Sequence, residues 1–300
     1  MRKEYGMYRF PIGVIIDGFK TDRTSAINMA AALGADGIQM YATSGESSPE
    51  SLDSSARKAL KKQVNDAGMV FSALCGDLGM GFGHKDKNPA LVARLKTILD
   101  LANDLGTNVV TTHIGVVPED KNHERYKIMQ EACGELADYA HKNGSHFAVE
   151  TGPERSATLL GFLDSLGSKG VAVNLDPANL RMVVDEDSVT AVKTLAKYIV
   201  HTHAKDGVML LKGNPEFIYS VVHPIPEEVK RMKFFEERPL GEGAVNFPAY
   251  LKALEEVGYK GFLTVERESG LDPYANISQA VNYLLSLKRK KAKKLPPMCP

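Results

Sequence analysis

Four hydrophobic runs in the second half of the chain each end on a side chain able to bind a cation: Ala-Val-Glu150, Asn-Leu-Asp176, His201-Thr-His203 and Thr-Val-Glu266. Three carboxylates and an imidazole suit a divalent ion, Mn²⁺ first, with Co²⁺, Mg²⁺ and Zn²⁺ as alternatives. The lack of thiolates among them argues against a purely structural zinc site. Each residue alone has an ordinary explanation. A glutamate at a strand end caps a helix or sits on the surface, and a histidine in a strand is a hydrogen-bonded core residue. Together they are harder to explain that way, because carboxylates gathered on one buried face repel one another and are costly to desolvate unless a cation neutralises them. His201 and His203 are two apart and point to the same side of their strand, so only the one nearer the C-terminal end reaches past it. His203 is therefore the expected ligand, with His201 one layer deeper as an orienting group. Lys205 follows on the same side, and Asp206 is expected to meet the loop beyond.

Such a cluster needs a scaffold that gathers strand ends. Short β-branched runs alternate with long amphipathic stretches, as in repeated βα units around a parallel sheet. Eight strands are predicted: Ile12 to Ile16, Gly37 to Met40, Val70 to Leu74, Val109 to His113, His146 to Glu150, Val171 to Asp176, Ile199 to Ala204 and Gly261 to Glu266. The intervening helices carry apolar residues at three- and four-residue spacing, for example Leu91, Leu95, Ile98, Leu99, Ala102 and Leu105. Five of them stop at a glycine that can take the left-handed conformation, at Gly34, Gly68, Gly106, Gly144 and Gly258. The recurrence predicts a single-domain α/β (β/α)₈ TIM barrel over 1–287, followed by a basic tail at 288–300. The regular spacing breaks at 207–245, after strand seven. That long segment holds Phe217, Tyr219, Phe234, Phe235 and His223, with Lys230, Arg231, Lys233 and Arg238, and it reads as a lid or subunit-contact segment, or as a plain surface excursion.

Composition narrows the function. The 300 residues are 43% hydrophobic and 25% charged, enough for a large core, and Lys plus Arg and Asp plus Glu both total 37. No overall field exists to gather nucleic acid or an acidic membrane, so neither is an expected partner. The basic run from Lys288 to Lys294, followed by Leu295, Pro296 and Pro297, reads as a helix end and frayed tail. Three widely spaced cysteines, Cys75, Cys133 and Cys299, suggest a reducing compartment. Met1 to Phe10 lack an apolar leader core and no run is long enough to span a membrane, which predicts a cytoplasmic protein.

In five motifs the chain resembles the sugar phosphate isomerase/epimerase superfamily, the xylose-isomerase-like barrels that include D-tagatose 3-epimerase, inosose dehydratase and the apurinic endonucleases. They are Val-Glu150-Thr-Gly, Asn-Leu-Asp176-Pro-Ala-Asn179, His201-Thr-His203-Ala-Lys-Asp206, Pro-Leu-Gly241-Glu-Gly243 before Asn246-Phe, and Gly258 through Glu266. The resemblance implies that Glu150, Asp176, His203 and Glu266 hold one divalent metal, with Glu150 and Glu266 as the catalytic acid/base pair. It also implies a small sugar or sugar derivative as substrate and a homo-oligomer, dimer or tetramer. A metal on a ketose's carbonyl and adjacent hydroxyl acidifies the neighbouring C–H by stabilising an enediolate, and two carboxylates on opposite faces can remove and return the proton.

The expected activity is sugar or sugar-phosphate isomerisation or epimerisation. Elimination, as in relatives that dehydrate inososes or cleave oxidised glycosides, is the alternative, with apurinic-site endonuclease ranked last. Two departures bear on the substrate. Asn179 stands where enzymes acting on free ketohexoses carry a substrate-binding histidine, and Met209 where they carry an arginine. Both argue against a free ketohexose, and the first also against a three-metal nuclease. Other polar residues at strand ends are Asp17, Gln39, Cys75, Asp77 and His113, with Glu154 and Arg155 just beyond strand five. His113, Glu154, Asn179 and Lys205 are expected near the substrate. A packed strand histidine and an N-terminal helix charge are the plainer readings of the first two. No glycine-rich phosphate cradle is evident, and Lys205, Arg155 and Arg238 are the candidate anion contacts.

Overall fold

The computed structural model describes residues 8–221 and 224–288. His223, Cys299, the first seven residues and the basic run after Lys288 lie outside them. In chain order the elements are β1 (Ile12–Ile15), α1 (Arg23–Ala32), β2 (Gly37–Tyr41), α2 (Ser54–Asp66), β3 (Val70–Cys75), α3 (Asn88–Leu105), β4 (Val109–Thr112), α4 (Glu124–Lys142), β5 (His146–Glu150), α5 (Ser156–Leu166) and β6 (Val171–Leu175). They continue with α6 (Pro177–Val183), α7 (Ser188–Leu195), β7 (Ile199–Ala204), β8 (Asp206–Met209), α8 (Pro215–Ile218), α9 (Glu227–Lys230), β9 (Phe235–Arg238), α10 (Phe247–Glu256), β10 (Leu263–Val265) and α11 (Pro273–Leu287).

Eight parallel strands close into a barrel in the order β1, β10, β7, β6, β5, β4, β3, β2, so the chain is the predicted (β/α)₈ barrel. Alternation along each strand divides the core in two. In β5, Phe147 and Val149 join the large cluster beneath the helices, while Ala148 joins a small inner cluster with Ala73, Val109 and Ala172. Residues this small fit the narrow barrel interior. Glu150, two beyond Ala148, therefore faces the axis one layer higher. The five predicted helix stops all hold positive φ, between 66° at Gly144 and 90° at Gly106. No helix among the described residues is long and apolar enough to cross a membrane.

The strands end slightly earlier than the hydrophobic runs imply. His113, Asp176 and Glu266 each stand immediately past a strand, where the backbone leaves the ladder for the mouth. The segment 207–245 is also more ordered than a plain loop. Its ends pair as the antiparallel hairpin of β8 and β9, with Asp206 opposite Arg238 and Met209 opposite Phe235, and two one-turn helices lie between. Two ion pairs fix it to the barrel, Arg125 to Glu216 and the half-buried Arg267 to Glu237.

Asp206 organises the return of this segment. One carboxylate oxygen accepts from the backbone N–H groups of Gly207 (2.8 Å) and Val245 (3.0 Å), the other from Gly241 and Gly243 (both 3.0 Å). A side chain at Gly243 would strike this carboxylate, its Cβ lying 2.1 Å from Oδ1. Hydrogen bonds to an ionised acceptor are among the stronger ones. Asp206→Ala is expected to lower stability by on the order of 3 kcal/mol in urea unfolding, and Asp206→Asn by less. Equal, negligible effects of both would show that the turn is held by other contacts.

Candidate metal centre at the barrel mouth

Each cluster residue is aimed by a local cause. Asp176 is the N-cap of α6, and its Oδ1 accepts from the N–H groups of Ala178 (2.8 Å) and Asn179 (3.0 Å). That fixes the carboxylate and leaves Oδ2 buried with no hydrogen-bond partner, 3.7 Å from His203 Nδ1. Thr151 ties the ends of β5 and β6, donating to the Asp176 carbonyl and accepting from its N–H. Gly152, at φ +152°, is needed for close approach, because a Cβ there would lie 2.5 Å from the Tyr219 hydroxyl and 2.7 Å from Asn179 Cβ.

Glu150 is held from three sides. Its Oε1 accepts from Asn179 Nδ2 at 3.1 Å and lies 3.4 Å from His203 Nδ1 and 3.5 Å from His113 Nε2, while Oε2 accepts from Asn174 Nδ2 at 3.2 Å. Glu266 Oε2 lies 3.1 Å from both His203 Nδ1 and Lys205 Nζ, and the same ammonium reaches Glu268 at 3.1 Å. Ligand atoms of Glu150, Asp176, His203 and Glu266 all lie within 4.8 Å of one another, and all four residues are buried.

A layer beneath fixes the rings. A bulge between β6 and β7 sets Asn174 beside both Glu150 and His201. Because Asn174 gives its amide N–H to Glu150, its Oδ1 faces His201 Nδ1 (3.0 Å), which must carry the proton, and His201 Nε2 then accepts from the Thr264 hydroxyl (2.9 Å). His201 thus acts on the cluster through Asn174. On the far side Gln39 donates to Thr111 Oγ1 and turns its Oε1 to His203 Nε2 at 3.2 Å, so Nδ1 is the nitrogen His203 offers to the cluster. A ligating histidine commonly donates its other N–H in this way.

Electrostatics follow the geometry. Burial would make His203 less basic, but Glu266 and Glu150 outweigh it and hold its pKa well above the usual range. Lys205 behaves likewise: burial lowers its pKa, and Glu266, Asp176 and Glu268 more than reverse this. His201, buried and beside a charged His203, is held neutral. Burial also raises Glu266, yet Lys205 and His203 bring it well below the carboxylate range, whereas burial dominates at Asp176 and pushes it up. Three carboxylates against Lys205 leave two negative charges once His203 gives up its proton, which a divalent cation balances. The orphaned Asp176 Oδ2, the oxygen-rich donor set and the oriented Nδ1 all fit such an ion.

Of the residues expected near the substrate, His113, Asn179 and Lys205 line the mouth beside the cluster, and Glu154 does not. A cavity of about 240 Å³ at the mouth is lined by Gln39, Cys75, Asp77, His113, Asn179 and Lys205, together with Tyr219 and Glu237 of the insertion. Glu154 is elsewhere, buried with its carboxylate accepting from the N–H of Val117. Asp17 accepts from the N–H of Tyr41, Arg155 is exposed, and Arg238 pairs with Glu236. Neither arginine lines the cavity. Sequence reasoning missed Asn174, although its position two residues before Asp176 was a usable signal, and Glu268, two residues after Glu266.

Two outcomes follow from this geometry. Asn174→Ala is expected to weaken Mn²⁺ binding by roughly 10- to 100-fold in calorimetry while the chain stays folded; unchanged affinity would mean that Asn174 does not orient the ligands. Burial pushes the Glu154 carboxyl from its ordinary 4.5 up to about 8, against the lowering by the Val117 N–H. The folded chain then keeps a proton that the unfolded chain releases, so stability falls as pH rises between these values. Glu154→Gln should shrink the loss of unfolding free energy between pH 5 and 8 by up to about 4 kcal/mol. An unaltered pH profile would contradict this.

The sequence matches the family described as xylose isomerase-like TIM barrel over residues 27–287. The uncharacterized protein MJ1311 of Methanocaldococcus jannaschii is 21% identical over 237 residues, covering 75% of this chain and 73% of that protein. A xylose isomerase domain protein from Planctomyces limnophilus superposes with a TM-score of 0.75 at 25% identity, over 95% of this chain and 98% of the other. A D-allulose 3-epimerase from Methylomonas sp. gives 0.67 at 18% identity over 94% and 99%, and the probable 3-DHS dehydratase AsbF from Bacillus anthracis gives 0.68 at 16% over 92% and 99%. With a closed eight-stranded barrel and a match to the family over most of its length, the chain belongs to the xylose isomerase-like TIM barrels.

Proposed function

We propose that the chain is a divalent-metal-dependent enzyme that isomerises or epimerises a sugar or sugar phosphate by moving a proton at the carbon beside a carbonyl. The observation that carries this reading is the presence of two buried glutamates, Glu150 and Glu266, in one compact cluster with Asp176 and His203. These four would hold the ion, Mn²⁺ by preference, and the ion would supply Lewis acidity that makes the neighbouring C–H labile.

The rest of the work falls to the chain. Asn174 and Asn179 hold the Glu150 carboxylate by both oxygens, and Lys205 holds Glu266 by one. One glutamate removes the proton and the other returns it, and which does which depends on the face the substrate presents. Their fixed orientation reduces the reorganisation needed at the moment of transfer. Lys205, buried and cationic beside Glu266, is placed to steady a substrate oxygen. Segment 207–245 would act as the lid, with Tyr219 and Phe235 restricting water at the mouth. The ammonium of Lys205 also favours a second reading, elimination, since a cation beside the base can stabilise a departing oxygen.

The test is incubation of the Mn²⁺-loaded chain with a broad panel of ketoses, sugar phosphates and glycosides in D₂O, followed by mass spectrometry. Label at the carbon next to the carbonyl with the skeleton retained supports isomerisation or epimerisation, and loss of water or of a leaving group supports elimination. Glu150→Gln and Glu266→Gln should each lower exchange by at least about 100-fold. No exchange with any compound would contradict the proposal.

A further inference from the structure

The mouth cavity does not end at the cluster. At Asp77, His113 and Tyr219 it meets a second chamber of about 520 Å³, twice the size of the inner one and lined by the same three residues on the shared side. Small-molecule sites usually run from about 300 to 1,000 Å³. The inner chamber, at 240 Å³, falls below that range and has room for one small unit at the carboxylates; the outer one lies well inside it.

The two differ in chemistry as well as size. The inner chamber gathers carboxylates, an imidazole and Lys205. The outer chamber has an apolar wall, Met80, Ile114, Val116, Met129 and Val221, with Lys87 and His84 at an exposed edge. Its loops carry Gly79, Gly81, Gly83 and Gly115, which keep the walls back. At Gly81 a Cβ would meet the backbone of Ile114 and Gly115 at 2.7 to 2.8 Å, so the contact between the two loops requires a glycine there. Arg125 reaches this space but is already paired with Glu216 of the insertion, so it ties the chamber's roof and leaves Lys87 and His84 as the edge groups. His113 and Tyr219, with ring centroids 5.6 Å apart, form the passage between the chambers. Ser220, next to Tyr219, holds φ +54°, a conformation a serine seldom adopts, and it too lines the outer chamber. An apolar wall with polar groups on one edge suits a ring more than an isolated phosphate, because flat aromatic and sugar rings present an apolar face and a polar rim.

We propose that the substrate is a two-unit molecule, a sugar that keeps its own carbonyl and bears a second ring, with the carbonyl-bearing sugar at the cluster and the second ring in the outer chamber between Met80, Met129 and Val221. This rests on the reading of the cluster as the reaction centre, and it narrows the substrate from any sugar to one that carries a ring substituent. The polar rim of that ring faces Lys87 and His84, which favours hydroxyl or carboxylate substituents there.

The test compares 4-nitrophenyl and methyl glycosides of glucose, galactose, mannose and xylose, which carry no carbonyl and so report binding alone, on the full Mn²⁺-loaded chain, by calorimetry and saturation-transfer NMR. At least one aryl glycoside should bind ten-fold or more tightly than its methyl counterpart, with the strongest saturation on its aromatic protons. Val221→Trp and, as a second variant at an exposed position, Met80→Trp should reduce that preference to less than two-fold, with Mn²⁺ content unchanged as the check on folding. If no aryl glycoside binds better than its methyl partner, or if both variants keep the preference, the two-unit substrate is overturned. Deuterium exchange into a free sugar with no aryl preference would overturn only this inference. Aryl preference without exchange into any compound would instead count against the proton-transfer reading.

Discussion

Three carboxylates placed in a barrel mouth with almost no access to water are the constraint on which everything else in this chain depends. Burial opposes their ionisation, each is a neighbour of the others, and an uncompensated set would be among the most destabilising features a fold could carry. The chain meets the difficulty with cations. Lys205 and a strongly basic His203 stand against Glu266, and the neutral His201 layer below adds no further charge. His203 can exchange its proton for a metal, since its Nε2 is engaged by Gln39 and its Nδ1 faces the acids. Asp176 lacks a partner for Oδ2 because its other oxygen is committed to the start of α6.

This balance reaches into parts of the fold distant in sequence. Thr264, His201, Asn174 and Glu150 form one directed chain of hydrogen bonds across strands β10, β7, β6 and β5. Its direction is set by the carboxylate at the end, which can only accept. Beyond the mouth, Asp206 gathers four backbone amides at the return of the insertion, and the pairs Arg125–Glu216 and Arg267–Glu237 anchor that segment on two sides. Tyr219 can then lie over Gly152 and beside His113, where it both covers the cluster and divides two chambers.

Much of this was legible in the amino-acid order because barrels impose two strong regularities. Helix stops at Gly34, Gly68, Gly106, Gly144 and Gly258 punctuate the repeats, and a polar residue ending an apolar run has few places to go but the mouth. The predicted quartet does come together in space. What stayed hidden depends on closure. Gln39 lies 164 positions from His203, and only the circular strand order brings them within 3.2 Å. Asn174 resembled any strand asparagine until the bulge at Val200 set it beside His201. Glu154 followed a strand end as the ligands do, yet the turn after Thr151 carries it to Val117 and away from the cavity. The insertion's hairpin was obscured because its pairing is fixed by Asp206 and the turn it organises more than by any alternating pattern.

The most direct measurement is the metal content of the purified chain by plasma mass spectrometry, beside that of the Glu150→Ala/Glu266→Ala double variant after both are loaded with Mn²⁺ and desalted. Charge compensation by a divalent ion predicts about one equivalent in the parent chain and a small fraction of that in the variant. A parent chain that retains no ion, or a variant that retains as much, would contradict the central claim.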